Sequence, residues 1–171
     1  GSTSAAHLHN VNAAASSVAL TSSPNPSVVG QSVALSAAVS PALATGSVEF
    51  FEGSTSLGTG TVAAGTATLN TSSLALGSHS LTAVYSGDGS YSGSTSLAHT
   101  HDVNAASTAT TLTNTPSPSV TGQSVTLTAS VAVQAPGAGT ATGSVEFFDG
   151  ATSLGTSALS GGSASMNTSA L

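Results

Sequence analysis

The chain has no lysine, no arginine, no cysteine and no tryptophan. The first two absences exclude the most. A domain of this size ordinarily carries roughly 20 basic residues, because about a quarter of residues are charged. Here 171 residues hold six acids and five histidines, with a formal net charge of −6. Nucleic-acid binding by phosphate neutralisation has no permanent cation to work with. A polybasic membrane patch is excluded in the same way. Lysine and arginine salt bridges cannot form, so burial and backbone hydrogen bonds must hold the fold. Proteases that cut after lysine or arginine find no site. Without cysteine there is no disulfide framework and no thiol chemistry. No apolar run approaches the roughly 18 residues that span a bilayer, so membrane insertion is not expected. Gly1-Ser-Thr-Ser4 lacks the basic and apolar regions of a signal peptide, which places any secretion signal outside this stretch. Aromatics are scarce, with four Phe and two Tyr. The apolar content is 39% of residues and mean hydropathy is +0.29. A core is therefore affordable, but it must be thin and built mostly from Ala, Val and Leu.

What is present is an internal repeat. Residues 1–40 recur as 93–132, and residues 46–74 recur as 143–171, with more than half of the positions identical in each alignment. Between the two blocks lies a loop whose length differs. It is Ser40-Pro-Ala-Leu-Ala-Thr-Gly46 in the first copy and the longer Ala132-Val-Gln-Ala-Pro-Gly-Ala-Gly-Thr-Ala-Thr-Gly143 in the second. A length change between matching flanks is what a surface loop tolerates.

One copy divides into short strands. Val18–Thr21 is a first strand, followed by a turn at Ser23-Pro-Asn-Pro-Ser27, whose prolines bar a ladder. Gln31–Val39 alternates, with Val33, Leu35, Ala37 and Val39 on one face, as a half-buried strand does. Gly46–Gly53 is a strand bounded by glycines, and Thr55–Gly58 a short edge piece. Thr61–Val62 and Thr66–Leu69 flank a turn at Gly65. Ser78–Tyr85 sets Leu81, Ala83 and Tyr85 on one face, Ser86–Gly93 is a turn, and residues 93–104 form the closing strand. About seven strands in about 90 residues, with no helical period, is the pattern of an immunoglobulin-like β-sandwich.

Three stretches carry a resemblance. They are Pro24-Asn-Pro-Ser-Val-Val-Gly-Gln31, Gly46-Ser-Val-Glu-Phe-Phe-Glu-Gly53 and Gly77-Ser-His-Ser-Leu-Thr-Ala-Val-Tyr-Ser-Gly-Asp-Gly-Ser-Tyr-Ser-Gly-Ser94. In this order they resemble the bacterial Ig-like repeat domains of large surface and secreted proteins, over nearly the whole chain. The resemblance implies an all-β chain of tandem immunoglobulin-like sandwiches. It also implies an extracellular, non-catalytic module that builds stalks, adhesins or surface fibres. The chain departs from the usual pattern in having no basic residue and in the paired histidines of its closing strand.

The repeat sets the expected domains. Residues 1–12 match the closing strand and linker of a preceding repeat. Residues 13–104 make a complete domain. Residues 105–171 make a second domain that stops before the counterparts of residues 75–92, and so before its last two strands. An open sandwich edge costs stability. These residues are therefore expected to be a window onto a longer array.

Few residues carry reactive chemistry. His99 and His101 are two apart on one strand and share a face, as do His7 and His9. A hairpin folded about residue 90 places His79 opposite His101. Three imidazoles on one patch could hold Zn²⁺ or Cu²⁺. The favoured alternative is that His79 caps a strand end while His99 and His101 line a solvated edge or the joint to the next domain. The acids are Glu49, Glu52, Asp88, Asp102, Glu146 and Asp149. Glu49 and Glu52 face opposite sides of their strand, which is poor geometry for paired-carboxylate hydrolysis. Asp102 and Asn104 could contribute to a Ca²⁺ site, though turn and linker polarity explains them better. Asp88-Gly89 is a hairpin turn signal. Asn70-Thr-Ser72 and Asn167-Thr-Ser169 are glycosylation sequons. Of Phe50-Phe51 and Phe147-Phe148, one ring of each pair should enter the core. There is no strand-to-helix Gly-x-Ser-x-Gly elbow and no phosphate-cradling loop with a lysine. No catalytic, cofactor-binding or metal residue is assigned and no cofactor is expected.

The expected function is a structural repeat module of an extracellular fibre, stalk or adhesin shaft. Its partners would be neighbouring Ig-like repeats of the same chain or homopolymer, with a cell-surface or glycan ligand as the alternative. A third reading is an accessory domain of a secreted enzyme.

Overall fold

The computed structural model describes all of residues 1–171, in which strands are the only regular elements. The chain divides into two compact units. One comprises Gly1–Ser27 with Ser32–Val103, and the other Val28–Gln31 with Asn104–Leu171.

The first unit uses β1 (Ser17–Ser23), β2 (Ser27–Val28), β3 (Val33–Ser40), β4 (Ser47–Glu52), β5 (Thr55–Thr61), β6 (Thr66–Thr71), β7 (Gly77–Tyr85), β8 (Ser94–Thr95) and β9 (His99–Asn104). One sheet has the order β1-β3-β6, and the other β2-β9-β7-β4-β5, with β8 also on β7. The pairings of β1 with β3, β3 with β6, β4 with β5 and β7, and β7 with β9 are all antiparallel. The alternation expected in β3 is observed: Val33, Leu35, Ala37 and Val39 are buried and the residues between them are not. Each large aliphatic side chain so buried stabilises the fold by about 1.5–3 kcal/mol. Leu81, Ala83 and Tyr85 of β7 are buried in the same alternating way. The register sets Phe50 of β4 beside Ala83 of β7, so a large ring lies next to a small neighbour. A slip of one residue would turn every one of these side chains to solvent, so burial fixes the register.

Two details differ from the sequence reading. Thr55–Gly58 and Thr61–Val62 are not separate pieces; β5 runs unbroken from Thr55 to Thr61, with its register shifted between Phe50 and Phe51 on the β4 side. Gly58 and Gly60 hid this strand by giving no side-chain alternation. Gly58 sits where a Cβ would come within 3.2 Å of Leu69 and has a positive φ of 137°, so the missing side chain makes room for the neighbouring strand. The closing strand is broken, too. Between β8 and β9, Ser96 exchanges hydrogen bonds with Ala83: its N–H donates to the Ala83 carbonyl, and its Oγ accepts from the Ala83 N–H.

The second unit contains β10 (Thr108–Thr115), β11 (Val125–Val133), β12 (Ser144–Asp149), β13 (Thr152–Ala158) and β14 (Ser163–Thr168). These form a β10-β11-β14 sheet and a β12-β13 pair. Val125, Leu127, Ala129, Phe147 and Ala164 make its core. Phe147 is buried while Phe148 is 53% exposed, so one ring of the pair points in and one out, as alternation requires. In the first unit Phe50 is buried and Phe51 half-buried. Residues 1–12 share the wording of β8–β9 but form no strand and are exposed throughout. The closely similar residues 99–104, with Thr100 for Leu8 and Asp102 for Asn10, make a strand where β7 offers a paired edge.

Candidate functional site

The densest group of polar and titratable side chains lies at one end of the first unit, around β9. Antiparallel pairing of β7 with β9 sets His79 directly across from His101, and Leu81 across from His99. The hairpin reading thus placed the three histidines correctly. It did not place them in the right environment. His101 is fully buried, with no exposed surface, instead of lining a solvated edge. His79 is also buried, at 7% exposure, and His99 is half-buried. The core alternation of β7 and β9 drives both His79 and His101 inward.

Each ring has definite partners. His79 Nδ1 lies 2.5 Å from Glu52 Oε1, and Nε2 donates to the Ala75 carbonyl at 2.8 Å. A carbonyl only accepts, and so does an ionised carboxylate. Both ring nitrogens must then carry hydrogen, so this geometry suits a cationic His79 paired with Glu52. The hydrogen bond that His79 donates to Glu52 raises the His79 pKa above its ordinary value, opposed by burial and assisted by the bond to Ala75. His101 has neutral partners: Nδ1 is 2.8 Å from Ser22 Oγ, and Nε2 is 2.9 Å from Ser27 Oγ. Burial lowers its pKa, and the facing His79 and neighbouring His99 add to the effect. Ser22 Oγ also lies 2.8 Å from His99 Nε2. A hydroxyl has one proton to give. Ser22 therefore donates to at most one of these two imidazoles. Asn25 closes the rim, with its amide donating to the Thr100 carbonyl and its Oδ1 accepting from the Asp102 N–H.

Both nitrogens of His79 and of His101, and Nε2 of His99, are thus committed to internal partners, and no three His, Cys, Asp or Glu side chains come together to hold a metal ion. His7 and His9 are exposed and outside any strand. Asp102 and Asn104 are exposed on β9. Glu49 accepts from Ser56 Oγ, while Glu52 turns to His79. The two acids face apart, as expected.

A second polar clamp escaped the sequence reading beyond its turn. Asp88 accepts from the backbone N–H groups of Thr45, Ser90 and Tyr91 and from Thr45 Oγ1. These bonds hold its carboxyl well below the usual carboxylate range. A carboxyl depressed in the folded state adds stability above its unfolded value, and that contribution is lost as pH falls into the acid range. Tyr85 Oη donates to the Thr45 carbonyl at 2.6 Å, from the other side of the same loop. The Asp-Gly signal showed the turn. Nothing in the spacing showed that it would grip a loop more than forty residues upstream.

One shallow groove of about 240 Å³ runs along the first unit, lined by Val18, Ala19, Leu20, Leu97, Ala98 and His99.

The family model described as bacterial Ig-like domain (group 3) matches residues 20–104 and again residues 112–171. No curated protein matches the chain. Among solved structures, the fibronectin(III)-like modules of Clostridium thermocellum CbhA align with 20% identity, covering 90% of this chain and 79% of that one at a TM-score of 0.41. The human OSCAR ligand-binding domain aligns with 18% identity, covering 89% and 81% at a TM-score of 0.39.

Proposed function

We propose that this chain, which belongs to the bacterial Ig-like domain (group 3) family, is a structural module of an extracellular fibre, stalk or adhesin shaft and one stretch of a longer tandem-repeat protein. One observation carries the reading. The one cluster of histidines in the folded sandwich is spent on the fold: His79 on Glu52 and Ala75, His101 on Ser22 and Ser27. A catalytic group needs a reacting atom within reach of a cleft. The groove beside His99, at about 240 Å³, is smaller than the roughly 300–1,000 Å³ usual for ligand pockets. The proposed role is therefore not enzymatic. The repeated family match supports a serial arrangement in which neighbouring Ig-like modules are the natural partners. The absence of Lys and Arg suits a surface exposed to proteases outside the cell.

The competing role is a carbohydrate- or surface-binding module. The 171-residue chain, immobilised and challenged with a glycan array, is expected to retain no glycan at micromolar concentration. Saturable, competable retention of one glycan class would replace the shaft reading with the binding reading.

A further inference from the structure

We propose that His79, His99 and His101 form an acid-operated latch that fastens the closing strand β9 to β1 and β2 near neutral pH and releases it in mild acid. The inference rests on how the rings are arranged. β9 pairs through its backbone with β7 and β2, and Asn25 bonds it twice more; its side-chain ties to β1 run from His99 and His101 to Ser22, and His101 also reaches Ser27 of β2. Around His101, β1 and β2 present only these hydroxyls. β7 presents His79, which is paired with Glu52 of β4. β9 itself adds His99 and the outward Asp102. At neutral pH one cation, on His79, is matched by one carboxylate, on Glu52. A neutral His101 satisfies both serines without charge.

Acid disturbs this balance. His99 Nε2 and His101 Nδ1 converge on a single oxygen, Ser22 Oγ, at 2.8 Å each. A proton added to His101 gives both of its ring nitrogens an N–H, so that a buried imidazolium meets only two neutral hydroxyl oxygens, those of Ser22 and Ser27. The buried charge on His101 has no carboxylate among its hydrogen-bond partners, and it faces the cation of His79. Buried like charges in this arrangement are costly. Only Glu52 lies on the inner side of the cluster, and His79 already occupies it. The release should be local, since the one titratable group in the buried core around Phe50, Leu35 and Val48 is Tyr85, a phenol that keeps its proton throughout the acid range.

The signs of the two shifts agree with this direction. The lowered pKa of His101 means its contribution is complete above the unfolded value of 6.5 and is lost as pH falls toward the folded value. The raised pKa of His79 works the other way: its contribution is complete below 6.5 and lost as pH rises through the folded value. Mild acid therefore keeps the His79–Glu52 pair while it undoes the His101 contacts.

The test is amide hydrogen exchange of the full 171-residue chain at pH 7.5 and 5.0, corrected for the intrinsic pH dependence of exchange. The latch predicts that protection of the β9 amides falls by about tenfold for each pH unit by which the folded pKa of His101 lies below the unfolded one. Protection at Phe50 and Ala83 should hold. In His101→Gln, whose amide can still bond to both serines but does not titrate, β9 protection should be equal at the two pH values. Equal protection of β9 in the parent at both pH values would overturn the latch, and so would an undiminished acid loss in His101→Gln. Should that variant not fold, the parent alone decides: a proton NMR titration in which His101 takes up its proton without any loss of β9 protection refutes the proposal.

Discussion

Replacing Phe50 by alanine should lower the stability of the first unit by about 3–5 kcal/mol, the usual cost of emptying a buried phenylalanine site. Phe50 has no exposed surface. With Tyr85 it is one of the two largest fully buried side chains of a core otherwise made mostly of small aliphatic residues. Its register partners are Ala83 on one side and Gly58 on the other, both too small to close over a cavity. Domains commonly have only about 5–15 kcal/mol of stability in total, so the variant would approach the limit of folding. The measurement is urea unfolding followed by tyrosine fluorescence. Tyr85 and Tyr91 both belong to the first unit, so the signal reports that unit alone. A loss below about 1 kcal/mol would mean that the site collapses freely, against the close packing of protein interiors. Phe148→Ala in the second unit, where the ring is 53% exposed, should be nearly neutral when urea unfolding is followed by far-UV circular dichroism, which reads both units.

The second large effect is expected at His101. His101→Ala should destabilise the first unit by about 3 kcal/mol or more, through a cavity and the loss of partners for two hydroxyls. Ser27 is buried at 2% exposure and would have no imidazole to meet, and Ser22 would keep only His99. Leaving a buried polar group unpaired costs about 1–3 kcal/mol, more than the hydrogen bond itself contributes. The loss should be largest near pH 7.5 and shrink toward pH 5, because the parent loses the His101 contribution in acid and the variant has none to lose. Urea midpoints of parent and variant across that range decide it. A constant difference would assign the cost to packing alone.

The sandwich was legible because its strands obey a period of two. Val33, Leu35, Ala37 and Val39 announced their face, and the Gly- and Asp-rich turn at 86–93 announced its hairpin closely enough to pair His79 with His101. The fold follows from this pattern, and the family resemblance carried by residues 24–31, 46–53 and 77–94 agrees with the match to the bacterial Ig-like model. The site was legible in its members but not in its character. Histidines are usually half-exposed, so a strand face that carries His99 and His101 does not read as a core face. Its burial is possible because Ser22 and Ser27 arrive from more than seventy residues away, and in a chain this rich in serine no spacing singles them out. The same limit hid the grip of Asp88 on Thr45, a contact made by topology rather than by neighbourhood in sequence. Strand β5 was lost for a different reason: glycines at 58 and 60 leave no alternation to read.

The central claim is that the interior of this module is spent on holding it together under load. The direct measurement is force–extension of the single chain, tethered by its two ends. The shaft reading predicts that the strands of the first unit, from Ser17 to Val103, resist and then yield in one cooperative event. That event should release roughly 250–300 Å of chain at about 3.4 Å per residue. Smooth extension of that length, with no discrete event, would contradict it.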